Sequence, residues 1–154
     1  MITLAFFISV FTSFYQVGFS VNQQVTLPDG TNLLGYYSVD GKSLMFKGIP
    51  YAQAPVGNLR WAPPKLWENP DKSKVIDALH FRNICPQGDI VNFLKNGETF
   101  GDEDCLFLNI FSPALMNKTA QTYPVALFIH GGSFRKGTTK HCEVTSMCWI
   151  LKVS

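Results

Sequence analysis

Charge is sparse in this sequence and nowhere concentrated. Thirteen Lys and Arg stand against eleven Asp and Glu, for a net charge of +2. They are scattered singly rather than gathered into a basic face, so nucleic-acid binding has no electrostatic footprint. Helical periodicity is also missing. No segment before residue 139 repeats apolar residues at helical spacing over more than two turns, which leaves strands as the organising elements. There is no internal repeat and no low-complexity tract. With 46% hydrophobic and 14% aromatic residues the chain has enough apolar material for a real core, and disorder is excluded for most of it. Finally, His80, His130 and His141 are not spaced with the four cysteines as zinc ligands are, so no metal site is expected.

The first charged side chain is Asp29, and the opening stretch Ile2 to Val17 is mostly apolar. Its core, Leu4 to Phe11, is short for a membrane span, and Gly18-Phe19-Ser20 places small residues where a signal peptidase reads them. Residues 1–20 are therefore expected to be a signal peptide of a secreted protein, with an uncleaved membrane anchor over residues 2–17 as the alternative. In that compartment the four cysteines point to disulfides, for which three pairings are possible. Asn117-Lys118-Thr119 is a glycosylation sequon consistent with the same route.

Short strands are expected at Val25 to Leu27, Asn32 to Tyr37 and Ser43 to Phe46, separated by the turn-forming Pro28-Asp29-Gly30 and Asp40-Gly41. From Gly48 to Pro64 four prolines predict an extended surface run without regular structure. Val75 to Leu79 is a further strand candidate. Leu106 to Phe111 and Val125 to Ile129 are apolar without alternation, the pattern of strands buried on both faces of a sheet, and the segment between them suggests a hairpin. The second run stops at His130-Gly131-Gly132. A turn this rich in glycine can aim backbone N–H groups at a developing oxyanion, which raises acyl transfer as the candidate chemistry.

Three motifs then coincide. The first is Phe46-Lys47-Gly48-Ile49-Pro50-Tyr51-Ala52, continuing through Pro55-Val56-Gly57 to Leu59-Arg60-Trp61 and Pro64. The second is Glu103-Asp104-Cys105-Leu106-Phe107-Leu108-Asn109-Ile110, and the third is His130-Gly131-Gly132-Ser133-Phe134. In order and spacing they resemble the N-terminal part of the type B carboxylesterase and cholinesterase family. The resemblance implies an α/β fold, the beginning of an α/β hydrolase: a small antiparallel meander leading into a mixed, mostly parallel sheet, interrupted before the nucleophile elbow. It divides the chain into the leader, a carboxylesterase portion over 21–137 and a divergent tail over 138–154. It also implies a disulfide between Cys85 and Cys105, a partly buried ion pair of Arg60 with Glu103, and an oxyanion hole. In that hole the N–H groups of Gly132 and Ser133 are the donors and Gly131 shapes the turn. A side chain at 133, where the family mostly has glycine, is expected to forbid a positive φ.

Relatives hydrolyse carboxylic esters with a serine nucleophile, a carboxylate and a histidine, without a cofactor. Cholinesterases stack the choline cation on a Trp placed where this chain has Lys95, so a choline ester does not suit it. The Gly-x-Ser-x-Gly elbow is absent from the sequence, and the nearest imitation, Gly131 to Arg135, sits at the oxyanion position. His141 beside Cys142 lacks a third group and reads as part of a polar tail, in which Cys148 also has no family counterpart. Glu103 and Asp104 are adjacent and point to different sides, which favours structural roles. Trp61, Trp67 and Trp149 are expected to pack, and His130 to hydrogen-bond at a strand end. Phe134 is placed to line a pocket. The expected function is that of a truncated carboxylesterase, inactive alone, whose full-length relative takes a small-molecule carboxylic ester. The alternative is a noncatalytic secreted binding or adhesion module of the same fold with a protein partner.

Overall fold

The computed structural model describes residues 22–88, 99–114 and 124–140, and the backbone of 150–153. The expectations for residues 1–20, Lys95, Asn117, His141, Cys142, Cys148 and Trp149 lie outside the described residues.

Two turns fold the first three strands back on one another. Strand β1 (Asn22–Thr26) pairs antiparallel with β2 (Asn32–Tyr37), from Asn22 opposite Tyr36 to Thr26 opposite Asn32. Between them Gly30 adopts φ +85°, and the Asp29 carboxylate accepts from the N–H and hydroxyl of Thr31 at 3.0 and 2.9 Å, an Asx turn that closes the hairpin. Ser38, Asp40 and Gly41 (φ +68°) make the second turn, into β3 (Ser43–Pro50). Alternation along β3 buries Leu44 and Phe46; a bulge between Phe46 and Ile49 then shifts the register, so that Ile49 faces inward too.

That bulge is where Gly48 sits at φ +70°, and an added Cβ there would lie 2.7 Å from the His80 carbonyl oxygen. Leu33, Leu44, Phe46, Ile49 and Ala78 form the core, flanked by Leu27, Tyr37, Ile76, Leu108 and Ile110. Strand β4 (Val75–Asp77) runs parallel to β2 and brings Ile76 and Ala78 onto this cluster. Between β3 and β4 the chain has no strand, only a short 3-10 turn at Gly57–Leu59.

Strand β5 (Phe107–Pro113) pairs antiparallel with β3, and β7 (Ile150–Val153) pairs antiparallel with β5. Strand β6 (Ala126–Ile129) lies beyond β7 and parallel to it, giving the order β1-β2-β3-β5-β7-β6. Two expectations change here. The strands β5 and β6 are not hairpin neighbours, because β7 enters between them. Nor is β6 buried on both faces: it is the edge of the sheet, and Leu127 and Ile129 are 56% and 73% exposed. Its unbroken apolar run marks a strand of a covered sheet, and among the described residues no helix lies over it. No helix among them is long and apolar enough to cross a membrane.

Candidate functional site

Strand β6 ends at Ile129, and after His130 the chain turns sharply through Gly131, Gly132 and Ser133. Gly132 has φ +137°, and an added Cβ would lie 1.5 Å from the Lys136 carbonyl oxygen, so glycine is required there. The Gly132 carbonyl accepts from the N–H groups of Arg135 and Lys136 at 3.0 and 3.2 Å, which closes the turn on itself. Ser133 and Phe134 follow at φ +54° and +57°. The expectation that a side chain at 133 forbids positive φ is therefore corrected: two consecutive non-glycine residues occupy the left-handed region. Each costs roughly 1–2 kcal/mol against the right-handed conformation. Ser133 is thus held in strained backbone by its surroundings.

Those surroundings come from the disulfide loop. Cys85 and Cys105 are joined, with their Cα atoms 5.0 Å apart. Two residues on, the Gln87 amide donates from Nε2 to the Gly137 carbonyl and accepts the Gly137 N–H at Oε1, both at 2.9 Å. The Gln87 backbone is itself paired with Phe100 through two bonds of 2.9 Å. A second tie reaches the segment just after the turn. Asn109 on β5, buried at 2% exposure, accepts the Gly48 N–H at Oδ1 (2.8 Å) and donates from Nδ2 to the Thr139 hydroxyl (2.9 Å). One buried amide thus links all three sequence motifs or their flanks: the bulge of the first, the strand of the second and the exit of the third.

A groove of about 490 Å³ lies against this arrangement, lined by Ile84 to Gln87 and by Ile129 to Thr138. Among the described residues, the N–H groups of Gly132 and Ser133 have no hydrogen-bond partner. The Ser133 hydroxyl likewise has none, so among the described residues no base is positioned to take its proton. His130 is occupied locally, its Nδ1 lying 2.9 Å from the Gly131 carbonyl oxygen. Phe134 lines the groove and is otherwise fully exposed. No cluster of His, Cys, Asp or Glu able to hold a metal occurs among the described residues.

Arg60 and Glu103 form a bidentate pair, Nε donating to Oε1 at 2.6 Å and Nη2 to Oε2. The pair raises the arginine pKa and lowers that of the glutamate. The side chains are 55% and 39% exposed, so the pair is only partly buried and water screens much of the attraction. The pair joins the end of the 3-10 turn to the base of the disulfide loop. Asp104 has a backbone role instead, its N–H donating to Asp102 and its carbonyl accepting from Asn83. Trp61, expected to pack, is fully exposed at φ +60°, whereas Trp67 is half-buried with its N–H on the Tyr51 carbonyl.

Sequence reasoning missed Gln87, Asn109 and Thr139. Asn109 did carry a signal, since a polar residue inside an apolar strand run must find partners if it is buried. Gln87 carried none, because its partner is the backbone of a residue fifty positions away.

The strand order and the glycine turn define part of an α/β-hydrolase fold of the esterase kind. The carboxylesterase of Geobacillus stearothermophilus superposes with a TM-score of 0.62 at 29% identity, over 79% of this chain and 24% of that one. Sequence agrees with shape. The para-nitrobenzyl esterase of Bacillus subtilis is 40% identical over 96 residues, 60% of this chain and 18% of that protein. The neuroligin-like protein glit-1 of Caenorhabditis elegans is 39% identical over 99 residues, 60% of this chain and 13% of that protein. The pattern of the Carboxylesterase family matches residues 22–153, and the chain belongs to that family. The matched range extends past Gly137 and includes β7. This chain spans only a minor part of the length of the curated relatives it matches, 18% in the Bacillus enzyme.

Proposed function

We propose that this chain is the N-terminal part of a secreted carboxylic-ester hydrolase and that it contributes the oxyanion-binding turn of the active site. The observation that carries this is the pair of N–H groups of Gly132 and Ser133, unpartnered among the described residues in a turn that lines a groove. When a nucleophile attacks an ester carbonyl, negative charge gathers on the oxygen. Preorganised N–H donors stabilise that charge without reorganisation, and losing one such donor costs on the order of 10²–10³ in rate. These residues include no Gly-x-Ser-x-Gly elbow, so turnover is proposed to need the nucleophile, acid and base of the rest of the fold. Secretion is supported by the apolar leader and by the Cys85–Cys105 disulfide, which belongs to an oxidising compartment.

A chimera tests this directly. Residues 22–137 would replace the matching segment of the Bacillus subtilis esterase, and hydrolysis of p-nitrophenyl acetate would be followed. The chimera should turn over while the chain alone does not. A folded but inactive chimera would sink the proposal, and turnover by the chain alone that disappears in Ser133→Ala would make Ser133 the nucleophile instead. The alternative is a noncatalytic secreted binding module of the same fold, since the relatives include a neuroligin-like protein besides esterases. A natural transcript that continues in frame without Gly-x-Ser-x-Gly would decide for that alternative.

A further inference from the structure

The two-point contact between Gln87 and Gly137 is unusual in kind: a side-chain amide pairs with a peptide group as a second strand would. Both bonds are 2.9 Å. Gln87 Nε2 also donates to the Cys85 carbonyl at 3.1 Å, and the Gln87 backbone exchanges two hydrogen bonds with Phe100. Side chain and backbone are therefore both anchored to the disulfide loop before the amide reaches the turn. Two residues away, the disulfide fixes the loop to Cys105, which is 3% exposed at the start of the chain into β5. Gly137 has φ +148°, and an added Cβ would lie 2.2 Å from Nδ1 of His130. Its backbone is thus packed against His130, the residue that follows β6, and whatever fixes Gly137 fixes the span of the turn.

We infer that Gln87 is a positioning residue, which transmits the rigidity of the disulfide loop to the oxyanion turn by holding Gly137 at a fixed separation from the end of β6. Strain makes such a device necessary. Ser133 and Phe134 both sit at left-handed φ, and a turn free at its far end would relax toward ordinary backbone and swing the Gly132 and Ser133 N–H groups away from a common point. The catalytic meaning rests on the proposed oxyanion role, but the mechanical claim does not.

Amide exchange separates the two. In the full chain, the Gly137 N–H should be protected, and Gln87→Met, which keeps the length and removes both hydrogen bonds, should reduce that protection about thirtyfold, given a net ~1 kcal/mol for each of the two bonds. The Gly48 N–H, held by Asn109, is the internal control and should stay unchanged. Gln87→Glu keeps an acceptor but loses the donor at neutral pH. Its protection factor at Gly137 should be intermediate at pH 7 and should recover toward the wild-type value at pH 4 as the carboxyl group regains a proton to donate. Unchanged protection at Gly137 in Gln87→Met, or parallel loss at Gly48, would overturn the inference, the second by showing general loosening. Failure of the esterase chimera with these exchange results intact would overturn only the oxyanion reading.

Discussion

The two ends of this sheet are built differently. At the β1–β3 end, side chains interlock: Leu33, Leu44 and Phe46 are at most 5% exposed. At the β6 end the strand is apolar yet open, with Val125 at 77% and Ile129 at 73%, and the turn after it is held by hydrogen bonds from Gln87 and Asn109 rather than by burial. Apolar packing is non-directional and supplies stability, whereas amide hydrogen bonds are directional and supply position. The end of the sheet that carries the glycine turn is therefore pinned by a few specified contacts.

The sharpest break in this contrast is a pair of truncations. Phe46→Ala should destabilise the fold by about 3–5 kcal/mol, as buried aromatic truncations do. Leu127→Ala on β6 should change it by less than ~1 kcal/mol, because that side chain already meets water. Urea unfolding followed by tryptophan fluorescence would measure both, and equal losses would erase the distinction. Replacing Cys85 and Cys105 by serine comes next. Freeing a loop of this size should cost about 3 kcal/mol on the chain-entropy estimate, seen as a lower midpoint of unfolding than in the oxidised protein.

Asn109→Leu should cost about 1–3 kcal/mol, because it leaves the Gly48 N–H buried without an acceptor. Added exchange at Gly48 would locate the damage. Ser133→Gly should act in the opposite direction. Relief of left-handed strain stabilises by about 1 kcal/mol at most, partly offset by the greater freedom of glycine when unfolded.

The smallest effect belongs to the exposed pair at the first turn. Lys72, followed by the Thr31 hydrogen bonds, lowers the Asp29 pKa from 3.8 to about 2. A depressed carboxyl pKa contributes stability above the unfolded value, and that contribution is lost as pH falls through the folded one. The wild type should therefore lose stability between pH 4 and 2 through this carboxylate. Asp29→Asn should lack that component of the acid slope, and an identical slope in the variant would remove Asp29 from the account.

Much of this architecture is written locally. The turn residues Asp29-Gly30 and Asp40-Gly41 and the alternation through Leu44 and Phe46 specify the meander, because turn chemistry and strand period act between near neighbours. The three motifs were equally legible, and so was the glycine turn, whose backbone no other residue could adopt at 132. The failures share one cause, which is dependence on distant partners. Burial of β6 was expected from its apolar run, but burial is decided by what lies above and below a strand, and the order that inserts β7 beside it is a property of the whole sheet.

By itself the sequence determined the turns and most of the strands, since these depend on residue type and short spacing. Only the tertiary structure decided that Gln87 grips Gly137, that Asn109 bridges Gly48 to Thr139, and that Ser133 takes a left-handed conformation. Those contacts join residues 30 to 61 positions apart, and no local preference encodes them.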